Sequence, residues 1–442
     1  MKDKNPKLVD VAKPNLFRGI FPYTEFPKVT FDKKTVKYDI PANIWITDTT
    51  FRDGQQARPP YKPEQVLTIY DLLHVIDGGT GLIRQCEFFL YSDRDKKAVE
   101  LCKARGYKYP EITGWIRAVP ADFKLVSEMG LSETGILTSA SDYHIFLKLR
   151  KTRAQALTAY LDVVKAALDN GVIPRCHFED ITRADYEGFV LPFAAELMKL
   201  AAEYDQPVKI RLCDTLGFGL PWPEASLPRS VPKLIHGLRE LGVPSEWLEW
   251  HGHNDLHKVQ VNAATAWLYG CCAANTAIFG IGERTGNPPL EALVVEHAQI
   301  KGHNPKVNYA AITELSEYAG KELGFEIPHN YPLTGKDFNV TRAGIHADGL
   351  LKNEEIYNCF DTQKLLNRPV SVAITDKTGA AGIKHWLEAR YKIEIPKHDI
   401  RITKIKDKID AEYSANRVSA ISDEEMLQWA RDAFGSDMPP SR

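Results

Sequence analysis

The 442-residue chain has no C-x-x-C pair among its seven cysteines, no dense basic run, and no stretch of the ~18 uninterrupted apolar residues that a membrane span needs. Most of the cysteines (Cys86, Cys102, Cys176, Cys213, Cys271, Cys272 and Cys359) sit inside apolar runs, so they read as reduced core residues of a cytoplasmic protein. The first residues, Met1-Lys2-Asp3-Lys4-Asn5-Pro6, lead into no apolar segment of secretory type, and neither secretion nor membrane insertion is expected. A formal charge of -2 supplies no overall field to recruit nucleic acid or an anionic membrane. Low-complexity segments are absent too, and no G-x-G-x-x-G follows the first candidate strand.

What is present is a composition of 44% hydrophobic and 26% charged residues, that of a folded protein with a large core. Residues 1–40 carry prolines, lysines and aromatics without period and read as an extended arm. From Asn43 onward, short apolar runs of strand type alternate with longer amphipathic runs. Strands are expected around 43–49, 82–90, 112–119, 134–140, 172–179, 207–214, 247–253 and 275–281, with helices such as 63–77, 93–106, 152–170, 187–205 and 256–271 between them. Eight βα units predict an α/β fold, a (β/α)₈ TIM barrel over 41–303, followed by a mainly helical region over 304–442. Helical stretches are expected there at 309–323, 353–366, 381–391 and 423–434.

Such a barrel works at the C-terminal ends of its strands, where this sequence concentrates ionisable groups: Arg52-Asp53, His177-Phe178-Glu179-Asp180, Asp214-Thr215 and His251-Gly252-His253. Residues i and i+2 of a strand share a face, so His251 and His253 aim two imidazoles at one point. With Asp53 they make a three-ligand N/O set that suits Mn²⁺, Co²⁺ or Mg²⁺, and Asn287 is placed to reach the metal or its water. The same triad type also occurs in non-haem iron oxygenases, a reading that oxygen uptake would test. Arg52 is a candidate cation for a developing oxyanion, and Glu179 a candidate substrate-site acid or base. Arg84 on the second strand supplies a cation for a substrate carboxylate if its side chain faces the lumen.

Asp48-Thr49-Thr50-Phe51-Arg52-Asp53-Gly54-Gln55-Gln56 resembles the D-T-T-x-R-D-G-x-Q signature of the DRE-TIM metallolyases. His251-Gly252-His253-Asn254-Asp255 and Gly280-Ile281-Gly282-Glu283-Arg284-Thr285-Gly286-Asn287 resemble that family's second signature. Phe178-Glu179-Asp180, Asp214-Thr215-Leu216-Gly217 and Ser141-Asp142-Tyr143-His144 resemble further family stretches. The segment from Ala343 through His346 to Lys352, with Tyr357 after it, is similar to the helical subdomain of the family's synthases rather than its lyases.

The resemblance implies a metal-dependent condensation of acetyl-CoA with a 2-oxo acid. It makes Asp53, His251, His253 and Asn287 the metal site, and Arg52, Glu179, His346 and Tyr357 the catalytic groups, with Glu179 and His346 both open as the base. Gln56, Arg84, His144 and Thr215 become substrate-binding candidates, and a homodimer follows from His346 serving the partner's barrel. The long arm, Gly252 and Leu256-His257-Lys258 look most like the Re-citrate synthase branch, which implies oxaloacetate. Homocitrate and isopropylmalate synthases, with other 2-oxo acids, are the alternatives.

Overall fold

The computed structural model describes residues 5–342, 344–391 and 395–435. The chain divides into two compact units, 1–308 and 309–442.

In the first unit eight parallel strands close into a barrel in sequence order: β1 (Trp45–Asp48), β2 (Ile83–Phe89), β3 (Glu111–Ile116), β4 (Glu133–Ser139), β5 (Ile173–Glu179), β6 (Lys209–Asp214), β7 (Leu248–Gly252) and β8 (Ala273–Thr276). The helices between them start where the sequence satisfies their first N–H groups. Ser92 and Asp95 form a capping box at the head of Asp93–Lys103, and Thr152 and Gln155 do the same for Arg153–Asp169. β8 begins and ends earlier than its apolar run suggests. The chain turns at Ile278–Gly280, where Phe279 takes a left-handed conformation (φ 51°), so Ile281 lies outside the strand.

Along each strand one parity packs apolar side chains against the helices, as with Ile136, Cys176, Phe178, Ile210, Leu212 and Trp250, all buried. The other parity fills the lumen, and here it is charged. Glu87 on β2 accepts hydrogen bonds from Arg211 on β6 (2.9 Å), Arg175 on β5 (2.8 Å) and Arg52 after β1 (2.9 Å). Arg211 also forks onto Glu249, and Arg175 reaches Glu133, which Lys209 holds from its other oxygen. Only side chains aimed at the barrel axis can meet across it in this way. Gly135 makes the room: a Cβ there would lie 2.6 Å from His177 Nε2 and 3.0 Å from Glu87 Oε1.

The arm is bonded along the barrel. Val9 O accepts from Arg153, Asn15 N donates to Asp142 (2.7 Å), and Tyr143 donates to Leu16 O (2.7 Å). Further on, Arg229 donates to Pro27 O and Lys28 O, and Asp32 pairs with Lys233. At the far end of the unit Asn308 N donates to Ile76 O, which keeps 304–308 with the barrel.

The second unit is mainly helical. Its core gathers Ile374, Ile383, Leu387, Ile402, Ile405, Ile409, Met426 and Ala430. The helix Ile400–Ser414 was not foreseen, although Ile402, Ile405 and Ile409 recur at helical spacing on one buried face. The expected helix over 353–366 is instead a short turn at Glu354–Ile356 and a separate helix Thr362–Leu366, because Asp361 caps a new start by accepting from Lys364 N.

Replacing Glu87 by Ala strands three buried guanidinium groups, and breaking a buried ion-pair network in this way costs about 3–5 kcal/mol. The expected outcome is a large fall in the barrel's urea midpoint. Glu100→Gln, an exposed helix site, should stay within about 0.5 kcal/mol of the parent.

Candidate active site

The D-T-T-F-R-D run folds as a loop that delivers Arg52 and Asp53 to the lumen. Asp48 does not itself reach the site: its buried carboxylate accepts from Thr50 N (3.0 Å) and Thr50 Oγ1 (2.7 Å), and burial pushes its pKa up to about 7. Thr50 Oγ1 then accepts from Ile278 N, tying the loop after β1 to the turn after β8. Asp53 opens the short helix Asp53–Gln56 with its carboxylate buried.

Asp53, His251 and His253 offer three ligand atoms that all lie within 4.8 Å of one another. The two Nε2 atoms face each other at 3.2 Å, and His253 Nε2 is 3.9 Å from Asp53 Oδ2. A chain of hydrogen bonds fixes the tautomer of His251. Arg211 keeps Glu249 ionised and therefore acceptor-only, so Thr47 donates its hydroxyl to Glu249 and accepts from Asn275 Nδ2 (2.9 Å). The amide oxygen of Asn275 is thereby turned to His251 Nδ1 (2.8 Å), which must carry the proton and leave Nε2 with its lone pair.

Burial, His253 and the nearby arginines push the His251 pKa down to about 3, so the ring is neutral. Burial opposes ionisation of Asp53, but Arg52 beside it holds the carboxyl below its ordinary range. A neutral imidazole lone pair facing a second imidazole and a carboxylate is an arrangement that a divalent cation satisfies and an apolar core does not. Asn287 Nδ2 donates to Asp53 Oδ2 (2.7 Å) and Ile281 O (2.9 Å), while its buried Oδ1 has no partner. Gly282 allows this approach: a Cβ there would lie 2.1 Å from Asn287 Nδ2.

These residues open into a cavity of about 290 Å³, whose walls include Arg52, Gln56, Trp115, Leu137, Lys148, Glu179, Thr215 and Arg284. Arg52 is fixed on both sides, by Glu87 and by Asp53 (2.9 Å), with its guanidinium 5.6 Å over the Trp115 ring. Thr215 accepts from Asp180 N (2.8 Å) and so couples the ends of β5 and β6. His144 acts on the cavity through Glu179, to which its Nδ1 donates at 2.9 Å. Ser139 and Lys148 are further donors to that carboxylate. Burial would raise the Glu179 pKa, but His144, Lys148 and Ser139 together hold it at about 2. Asp180 is buried and bound to Arg183, with φ 63°, so it locks a turn rather than capping a helix.

Arg84 does not reach the cavity. It lies near the start of β2, where the register against β1 is irregular, and its guanidinium packs on Trp45 (4.1 Å), the first residue of β1, and on Tyr109 (5.7 Å), away from the C-terminal ends of the strands. The expected carboxylate reader on β2 is therefore withdrawn. In the second unit the ring of His346 lies 4.5 Å from that of Tyr357.

Residues 43–318 match the family model described as HMGL-like. The chain belongs to the HMGL-like family. It is 53% identical to a protein named Citrate (Re)-synthase from Clostridium kluyveri, over 95% of this chain and 94% of that one. It is 54% identical to another of that name from Syntrophus aciditrophicus, over 98% of this chain and 70% of that one. Among solved structures, hydroxymethylglutaryl-CoA lyase from Pseudomonas aeruginosa superposes with a TM-score of 0.52 at 18% identity, covering 68% of this chain and 98% of that chain. This last likeness is one of fold.

Sequence reasoning missed the lumen network of Glu87, Arg175, Arg211 and Glu249, although charged residues at alternate positions of otherwise apolar strands were its signal. It also missed Asn275 and Lys148.

Two measurements probe the site. His253→Ala should abolish stoichiometric divalent-metal binding in equilibrium dialysis, and Asn275→Ala should weaken it about 10- to 100-fold; unchanged affinity in Asn275→Ala would refute the tautomer relay. For Glu179 the folded-state pKa is depressed from an ordinary 4.5 to about 2. Its pairing therefore adds stability that is complete above about 4.5 and lost as pH falls through about 2. The stability gap between the parent and Glu179→Gln should close over that window in urea titrations.

Proposed function

We propose that this chain condenses acetyl-CoA with oxaloacetate and hydrolyses the product to citrate and CoA, as a metal-dependent acyltransferase of the citrate (Re)-synthase type. The observation that carries the reading is the joint presence of the Asp53-His251-His253 centre with Arg52 at its side, in a chain more than half identical to two relatives of that name. Citrate is oxaloacetate extended by the two carbons of an acetyl group, so a new C–C bond must form between the acetyl methyl and the oxo carbon.

A divalent metal held by Asp53, His251 and His253, with Asn287 beside it, would supply Lewis acidity to the 2-oxo group and orient the adjacent carboxylate. Mn²⁺ is the proposed ion, with Co²⁺ or Mg²⁺ as replacements. Arg52 stands next to this centre with its guanidinium already oriented, so it offsets the negative charge that develops on the oxo oxygen without further reorganisation. Gln56 and Thr215 line the cavity as neutral hydrogen-bonding groups for the substrate.

The methyl proton must go to a base. Glu179 is poorly suited, since a carboxylate held at about 2 and engaged by three donors has little proton affinity at neutral pH. His346, set against Tyr357, is the better candidate. By the family resemblance it serves the barrel of a second subunit, so the proposal includes a homodimer. A cytoplasmic setting agrees with the free thiols, six of the seven being buried and unpaired.

The test is release of CoA thiol by the purified protein with acetyl-CoA and, separately, oxaloacetate, 2-oxoglutarate, 2-oxoisovalerate or pyruvate. Turnover with oxaloacetate alone, abolished by a chelator and restored by Mn²⁺, is expected; preference for another oxo acid would move the substrate assignment. Arg52→Met should lower kcat about 10²- to 10³-fold with metal still bound.

A further inference from the structure

The proposed substrate has two carboxylates, and the centre at Asp53, His251 and His253 accounts for only the one adjacent to the oxo group. The other needs a cation of its own within the same cavity. Arg84, the residue that sequence alone put forward, packs on Trp45 at the start of the strands, away from the cavity.

Three permanent cations line the cavity: Arg52, Lys148 and Arg284. Arg52 is bonded to Glu87 and Asp53 and belongs to the metal side. Arg284 is spent on Asp255 (2.9 Å) and on the carbonyl of Thr215. Lys148 differs from both. Among the described residues its ammonium has a single partner, Glu179 (3.2 Å), and half of its side chain is exposed. Glu179 keeps a hydrogen bond from His144 and another from Ser139 if Lys148 turns away.

The position is suited to the length of the substrate. In a closed ring of eight strands, β4 and β5 stand opposite β8 and β1. The metal side is built from the ends of β1 and β7 and the turn after β8. Lys148 closes the helical turn Tyr143–Lys148 that follows β4, and Glu179 ends β5. A small oxo acid gripped on one side therefore directs its far end to this wall. Apart from Lys148, this side presents Trp115, Leu137, the imidazole of His177, which burial and the nearby arginines keep neutral, and the anion of Glu179, so Lys148 is the cation among them. The turn that carries Lys148 is also the one pinned by the arm, through Asn15 to Asp142 and Tyr143 to Leu16 O, so its place does not depend on the substrate.

We infer that Lys148 is the specificity-determining residue that reads the distal carboxylate of the dicarboxylic substrate. The inference rests on the condensation reading of the previous subsection, and the ammonium suits the task because it is mobile enough to leave Glu179 for a stronger partner.

The test pairs a binding assay with a kinetic one, so that the two readings fail separately. Malate and lactate, which differ by the distal carboxylate, are titrated by calorimetry into the Mn²⁺-loaded protein without acetyl-CoA. The parent is expected to bind malate at least ten times more tightly than lactate; Lys148→Met should remove that preference by weakening malate alone, and Lys148→Arg should retain most of it. In turnover, Lys148→Met should raise the KM for oxaloacetate about 10- to 100-fold with kcat within a few-fold. An unchanged malate affinity in Lys148→Met, an equal loss for malate and lactate, or a parent that does not distinguish them overturns the assignment. A parent that shows the malate preference but forms no citrate leaves Lys148 as the carboxylate reader and overturns the condensation reading instead.

Discussion

Three guanidinium groups meeting on the single carboxylate of Glu87 are the constraint around which the barrel is arranged. Burial alone would raise the Glu87 pKa, but Arg211, Arg52 and Arg175 hold it well below its ordinary range. The lumen then balances, with Arg52, Arg175, Lys209 and Arg211 set against Asp53, Glu87, Glu133 and Glu249. Each strand charge is compensated by a neighbour on another strand, and Asp53 by Arg52 beside it, so none can be removed without exposing the others to an uncompensated field. That interdependence fixes the strand register more firmly than apolar packing would, because a one-residue slip would turn every charge outward.

The same network reaches the reacting end of the barrel by two routes. One runs from Glu87 to Arg52 and on to Asp53, fixing a cation beside the candidate metal centre. The other runs from Arg211 through Glu249, Thr47 and Asn275 to His251, and sets which nitrogen of that ring is free. Preorganisation of this kind is what an electrostatic site requires, since dipoles already in place need no reorientation when charge develops. The opposite wall is built differently. Glu179 gathers His144, Ser139 and Lys148 at the mouth, where the half-exposed Lys148 retains some freedom to exchange partners.

The barrel was legible because a period of two alternating with a period of 3.6 is a local property of the chain, and eight repetitions leave few architectures. The candidate metal site was legible for the same reason: His251 and His253 lie two apart at the end of a strand, and Asp53 follows the first strand closely. Where reading failed, the missing information was orientation. Arg84 and Glu87 are three residues apart on one strand and both are charged, yet one packs on Trp45 at the start of the strands while the other anchors the lumen. The helix Ile400–Ser414 escaped because its isoleucines are diluted by lysines and aspartates, which the solvent-facing side tolerates.

The sequence by itself determined the repeat, the ligand types and their order, since these depend on side-chain chemistry and on spacing along the chain. It could not determine which parity of β2 faces inward, that Asn275 sets the tautomer of His251, or that Lys148 stands across the ring from the metal side. Those relations join residues from 24 to 124 positions apart. They exist only once the ring has closed, because closure is what places opposite strands within hydrogen-bonding reach of a common axis.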